Sequence, residues 1–256
     1  MPIDPNNANV TPIAVPPGRT MLPLRFIAEN LGCQVDWEPL SQMITVTNQT
    51  DNAAINPADF VASVNNPLWP LVPGTVYIYQ AGDERIEVTV TNETKEILGV
   101  TTTVVHDVVT EDGEVMEDTY DWYAQDVAGN VWYFGEDTKE YEDGKLVSTG
   151  GSWLAGADGA KPGIVMHAIQ PAIGLPYQQE YYTGVAEDMA EVVSINESVT
   201  VPYGRFDNCL QTREFTPLEP HANEYKYYAF GIGMVLEVDE NLVTGKSLLR
   251  SGGHNK

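Results

Sequence analysis

The residue types that could do chemistry gather in DWYAQDVAGNVWYFGED, residues 121–137, where Trp122, Trp132 and Glu136 lie close together in sequence. A carboxylate among indole rings has two uses. It hydrogen-bonds a ligand that stacks on the aromatics, or it moves a proton with its pKa lifted by burial. A further indole, Trp153, stands in the Gly-rich stretch GSWLAGADGAKPGIVMHAIQP, residues 151–171. Connections longer than about 12 residues are often functional. This one is expected to cross above a pocket formed by Trp122, Trp132, Glu136 and Trp153, with a lid as the alternative. The competing reading makes Trp122 and Trp132 core residues and sets Glu136 at a solvated rim or beside a basic partner.

Other constellations are weaker. Glu136, Glu180 and Asp188 are the carboxylates that an acid/base hydrolase or lyase would use, as paired carboxyls do in sugar chemistry. The acidic turns at 111–114, 117–121 and 141–145 offer oxygen ligands to calcium, but they lack EF-hand spacing and read as hairpin turns. Met166 and His167 are a copper-type pair in composition, yet neighbours in an extended chain point to opposite sides. No cofactor is predicted, and calcium or copper stays open. There is no Gly-x-Ser-x-Gly elbow and no phosphate-binding Gly-x-x-x-x-Gly-Lys-Ser/Thr loop. Cys33 and Cys209 suit two buried thiols as well as one bridge.

The element that positions the aromatic cluster is a hairpin. Gly129 at the fourth place of Asp126-Val-Ala-Gly-Asn130 fits a type I turn closed by a left-handed bulge residue. That loop pairs Ala124 with Trp132 and Trp122 with Phe134, leaving Glu136 at the end of an aromatic face. A two-residue loop would instead place Asp121 opposite Glu136, where like charges repel. Around this hairpin, alternating segments from 75–79 to 234–238 are separated by turns such as GDER, EDGE and EDGK. The fold class expected is mainly β, an antiparallel β-barrel or curved β-sandwich with a small N-terminal α+β module. The organisation expected is a flexible tether over 1–17, the module over 18–50, a linker over 51–66, a barrel-like domain over 67–240 and a tail over 241–256.

In the module, Leu24, Ile27, Ala28 and Leu31 fall on one helical face, with Pro23 at its start and Gly32 just past its end. Val35 and Trp37 then alternate as a strand, and 43–47 form a second. Gly18, Arg19, Thr20, Pro23, Leu24, Arg25, Leu31, Gly32, Val35 and Trp37 together resemble the N-terminal domain of copper amine oxidases, a module also found in bacterial cell-envelope proteins. The resemblance implies a small non-catalytic α+β appendage whose preceding strands are missing or reduced. It does not carry the oxidase chemistry, which needs three copper-binding His and a Tyr in Asn-Tyr-Asp or Asn-Tyr-Glu. The chain has only His106, His167, His221 and His254, no His-x-His pair and no such Tyr. The β-rich remainder, through NPLWPLVPGT, VPYGRFDNCLQTREFTPLEP and KYYAFGIGMVLE, resembles an uncharacterised family of secreted bacterial proteins, which implies a location and no activity.

Composition narrows the partners. The formal net charge of -24, from 37 acidic and 13 basic residues, repels nucleic acid phosphates and anionic lipid. No apolar run reaches the ~18 residues of a membrane-spanning helix. The first 20 residues show no signal peptide, which fits a secreted or envelope protein whose leader has been removed. The expectation is a non-catalytic secreted or envelope protein binding a small molecule, a glycan or a protein, with no nucleic acid and no membrane insertion. A carboxylate-dependent hydrolase or lyase, or a carrier of divalent cations or copper, are the alternatives.

Overall fold

The computed structural model describes residues 13–15, 19–21, 33–38, 43–48, 55–168, 173–239 and 245–253. The chain divides into two compact units, Met1–Ile55 and Asn56–Lys256. In the first, β1 (Ile13–Val15) pairs antiparallel with β2 (Arg19–Met21), and β3 (Cys33–Glu38) pairs with β4 (Met43–Asn48). Both strands fall where the alternating pattern predicts them, and Val35 pairs with Val46 and Trp37 with Ile44. The helix expected over 24–31 lies outside the described residues. The stretch expected as a tether contributes β1, so strand structure begins before residue 18.

The second unit is mainly β among its described residues, with a single 3-10 turn at Pro57–Asp59. Its strands are β5 (Phe60–Val61), β6 (Thr75–Ala81), β7 (Glu84–Ile97), β8 (Val100–Glu111), β9 (Glu114–Asp126), β10 (Val131–Glu142), β11 (Lys145–Ser148) and β12 (Trp153–Leu154). They continue as β13 (Lys161–Met166), β14 (Tyr177–Gln178), β15 (Glu180–Tyr181), β16 (Met189–Val201), β17 (Gly204–Thr216), β18 (Glu219–Ala229), β19 (Gly233–Asp239) and β20 (Lys246–Gly253). All 16 join one antiparallel sheet in the order β14-β16-β17-β18-β19-β20-β6-β7-β8-β9-β10-β13-β15, with β11 and β12 on β10 and β5 on β9. The expected curved, mainly β architecture is the one observed. Two boundaries are corrected: the region expected as a C-terminal tail supplies β20 between β19 and β6, and the region expected as a linker supplies β5.

The pairing is open, yet β14 and β15 stand at opposite ends of the order and are separated in the chain only by Gln179. The amides of Gln179 and Glu180 both donate to the Asp188 carbonyl, at 2.7 and 3.3 Å. On the other side the segment meets β13, where a Cβ on Gly163 would lie 2.3 Å from the Gln179 carbonyl oxygen. Glycine is what lets the two backbones approach.

Alternation builds the core. Buried Tyr79 faces Leu248 on one side and Ile86 on the other, buried Val90 faces Val105, and Tyr77 and Val235 are buried as well. The same face is not purely apolar. Continuing the Val90 and Val105 row outward brings Asp121 and then Glu136, while a second row runs Thr212, Lys226, Glu237 and Lys246. In that second row Lys226 reaches Glu214 at 2.6 Å and Lys246 reaches Glu237 at 3.1 Å, so both partly exposed ammonium groups are neutralised locally.

Candidate functional site

The hairpin between β9 and β10 closes as its residues predict. Asp126 N donates to the Asn130 carbonyl at 2.9 Å, Gly129 N donates to the Asp126 carbonyl at 3.0 Å, and Gly129 takes a φ of 97°. The Asp126 carboxylate accepts from Asn130 N, Asn130 Nδ2 and Trp132 Nε1 at 2.8–2.9 Å. Trp132 is thereby tied to its own turn and packs edge-on against Phe60, with ring centroids 6.0 Å apart. Ala124 faces Trp132 and Tyr123 faces Tyr133, as expected from the loop.

Beyond Tyr133 the expected register fails. A bulge at Phe134 and Gly135 intervenes, so Trp122 is not opposite Phe134, and Glu136 stands opposite Asp121. The cause is β12, which runs along β10 with Leu154 at Gly135 and Trp153 at Glu136. Gly135 adopts a φ of 126°, and a Cβ there would fall 2.3 Å from the Trp153 carbonyl oxygen. The 151–171 stretch is therefore not a free crossing: it contributes β12 and β13, both paired to β10.

The bulge gathers carboxyls. Asp121 is buried and accepts from the Tyr133 hydroxyl at 2.5 Å. Burial, opposed by that hydrogen bond and reinforced by Glu136, pushes its pKa up to about 7. Glu136 is half-buried, accepts from Thr138 Oγ1 at 3.4 Å, and among the described residues has no ion-pair partner. Burial raises it to about 7 as well, with Tyr133 pulling the other way. Glu180 rises to about 9, through burial first and then the charges of Asp188 and Glu136. Asp188 is raised chiefly by burial and held back by Thr216 and Lys226. The three carboxylates named from sequence as acid/base candidates thus feel one another's charge.

Beside them is a cleft of about 360 Å³. Trp122, Glu136 and Trp153 line it together with Lys95, Asp137, Ser152 and Tyr182, and Ala157 and Asp158 of the 155–160 loop edge it. Three of the four residues expected to form the pocket are therefore brought together, and Trp132 is not among its lining residues. Lys95 Nζ sits 3.1 Å from the centre of the Trp122 ring. Trp153 is only 4 % exposed, its ring edge-on to Tyr133, and its Nε1 lacks a hydrogen-bond partner of good geometry. Glu180 is near enough for that indole N–H to lower its pKa against the stronger effect of burial.

Lys95, Asp121 and Tyr133 were not legible as site residues. Their one signal was Gly135, because a glycine inside a strand marks a bulge or a close backbone approach. The remaining candidates disperse. Met166 is buried and the His167 ring packs against Tyr177, with centroids 4.3 Å apart. Glu111, Asp112, Glu114, Glu142 and Asp143 surround a larger open depression of about 690 Å³ at the hairpin tips. Among the described residues no group of three His, Cys, Asp or Glu side chains is placed to hold a metal ion. Cys209 is a buried free thiol, raised in pKa mainly by burial.

Comparison with known proteins places the N-terminal part. Residues 3–73 match the copper amine oxidase N-terminal domain, in agreement with the resemblance carried by the Gly18-Arg19-Thr20 and Pro23-Leu24-Arg25 motifs. Two solved structures are similar at low levels. One is an exported-protein candidate with a YmcC-like fold from Bacteroides fragilis, 15% identical, covering 72% of this chain and 98% of that one at a TM-score of 0.38. The other is a lipoprotein candidate from Parabacteroides distasonis, 13% identical, covering 73% and 99% at a TM-score of 0.33. No curated protein matches the chain. Among the described residues no helix is long and apolar enough to cross a membrane.

Proposed function

We propose that this is a non-catalytic, secreted or envelope-associated protein that binds a small ligand in the cleft formed by Trp122, Glu136 and Trp153. The observation that carries the reading is the convergence on one cleft of two indoles and the Glu136 carboxyl, which among the described residues has no ion-pair partner. Ligand sites have this composition: apolar and aromatic walls with a few polar groups that fix orientation. The extracytoplasmic assignment rests on the N-terminal module and the acidic surface. A screen of sugars, amines and short peptides by tryptophan fluorescence and thermal shift tests the binding. At least one class should quench fluorescence and raise Tm, and Trp122→Leu should remove both responses while the far-UV spectrum stays unchanged. Silence across the screen rejects the site.

A second reading, an acid/base hydrolase or lyase, is favoured by Glu136 at about 7 beside Glu180 at about 9, since carboxyls pushed to different pKa values suit opposite proton-transfer roles. Turnover of chromogenic glycosides that disappears in both Glu136→Gln and Glu180→Gln would support it. Turnover unaffected by either change would reject it.

A further inference from the structure

We propose that the ligand of this cleft carries a primary ammonium group, which takes over the ring face of Trp122 from Lys95. The inference rests on the binding reading above and specifies its ligand.

Lys95 already shows what the ring accepts. Its Nζ lies 3.1 Å from the ring centre, the geometry of a cation held by the negative face of an indole. Among the described residues Lys95 makes no ion pair, and the nearby Asp137 is engaged by Lys139 at 2.9 Å. The ring is therefore its principal partner, and burial there disfavours its charge while Asp137 supports it. Lys95 stands just past the register shift that interrupts β7 between Val90 and Thr94, on a flexible stem that can leave without disturbing the strand. An internal cation on a weak, displaceable contact behaves as a competitor for any cation arriving from solution.

The surroundings select the same chemistry. Glu136, Asp137 and Asp158 border the cleft, with Asp137 paired to Lys139, so a ligand that expels Lys95 without replacing its charge would strip this acidic lining of the one cation that also lines it. A primary amine, as in a lysine derivative or an amino alcohol, meets that demand. A bare divalent cation does not, since among the described residues no three carboxylates converge on one point.

The test uses the full chain and two probes, Nα-acetyl-lysine methylamide and its norleucine counterpart, which differ at the terminal ammonium. Tryptophan fluorescence and calorimetry should show saturable binding of the lysine probe and none of the norleucine probe. Lys95→Met, and Lys95→Gln as a second variant, should bind the lysine probe about tenfold more tightly, because the internal competitor is gone. Trp122→Leu should lose binding; if that variant does not fold, competition by tetramethylammonium against the lysine probe reads the same ring face. Equal affinity for both probes overturns the ammonium assignment and leaves the binding site standing. So does a lysine probe silent in the wild type and in Lys95→Met while a neutral compound from the wider screen binds. Lysine-probe affinity unchanged by both Lys95 substitutions overturns the displacement.

Discussion

Glu136 owes its raised pKa first to burial and then to the charges of Glu117 and Asp188. Set opposite Asp121 and half out of water, it shares a low-dielectric surface with Glu180, and each charge makes the next harder to form. The folded protein thus holds protons on Asp121, Glu136 and Glu180 at pH values where the unfolded chain has released them. Stability therefore decreases as pH climbs from the ordinary carboxylate range through the raised values of about 7 and about 9. We expect Tm to be higher at about pH 5 than at about pH 9, and Glu180→Gln to flatten the slope; a Tm that climbs over this range would contradict the assignment. Asp126 does the opposite job, as a paired carboxylate that fixes a turn. Asp126→Ala removes the acceptor of Asn130 N, Asn130 Nδ2 and Trp132 Nε1 and should cost about 2 kcal/mol in urea unfolding. Trp122, Glu136 and Trp153 could be picked from sequence because large aromatics around a carboxylate are a strong compositional signal. Trp132 has the same composition around it, and only the reach of its Nε1 to Asp126 separates it from the others.

At the scale of elements, the loop chemistry was readable and the interruptions were not. Asp126 to Asn130 predicted its own turn, whereas the bulge at Gly135 depends on β12, a strand of two residues with no alternation to betray it. The turn between β7 and β8 was hidden for a related reason. Leu98 occupies its left-handed position at a φ of 53°, where Asn, Asp or Gly would have announced a hairpin, and its side chain packs where Gly156 leaves room. Gly135→Ala should be strongly destabilising, by at least about 3 kcal/mol, since it combines a disfavoured φ with a backbone collision. Urea denaturation checks the cost, and a shift in Trp153 emission would show β12 leaving β10.

For the molecule as a whole, period-two alternation gave the mainly β class, but strand order is set by contacts far apart in sequence and left no trace in local pattern. Nothing in 246–253 distinguishes a tail from a strand until β6 and β19 stand on either side of it. Gly163 is the comparable case at the other end, a residue whose absence of a side chain lets residues 177–181 span from β16 to β13. Gly163→Ala should leave the central strands intact and speed hydrogen exchange at the Gln179 and Glu180 amides, which now donate to Asp188. Unchanged protection at those two positions would refute this role for the glycine.

The placement of β20 also has a consequence in time. The first long strand of the sheet, β6, waits for a partner that is made only after β7 to β19, while β7 to β10 can zip as successive hairpins. Until residues 246–253 emerge, β6 and β19 are both bare edges able to recruit another chain. A version stopped after residue 239 should therefore come out aggregated, and adding the missing strand as a separate peptide during refolding should recover soluble protein.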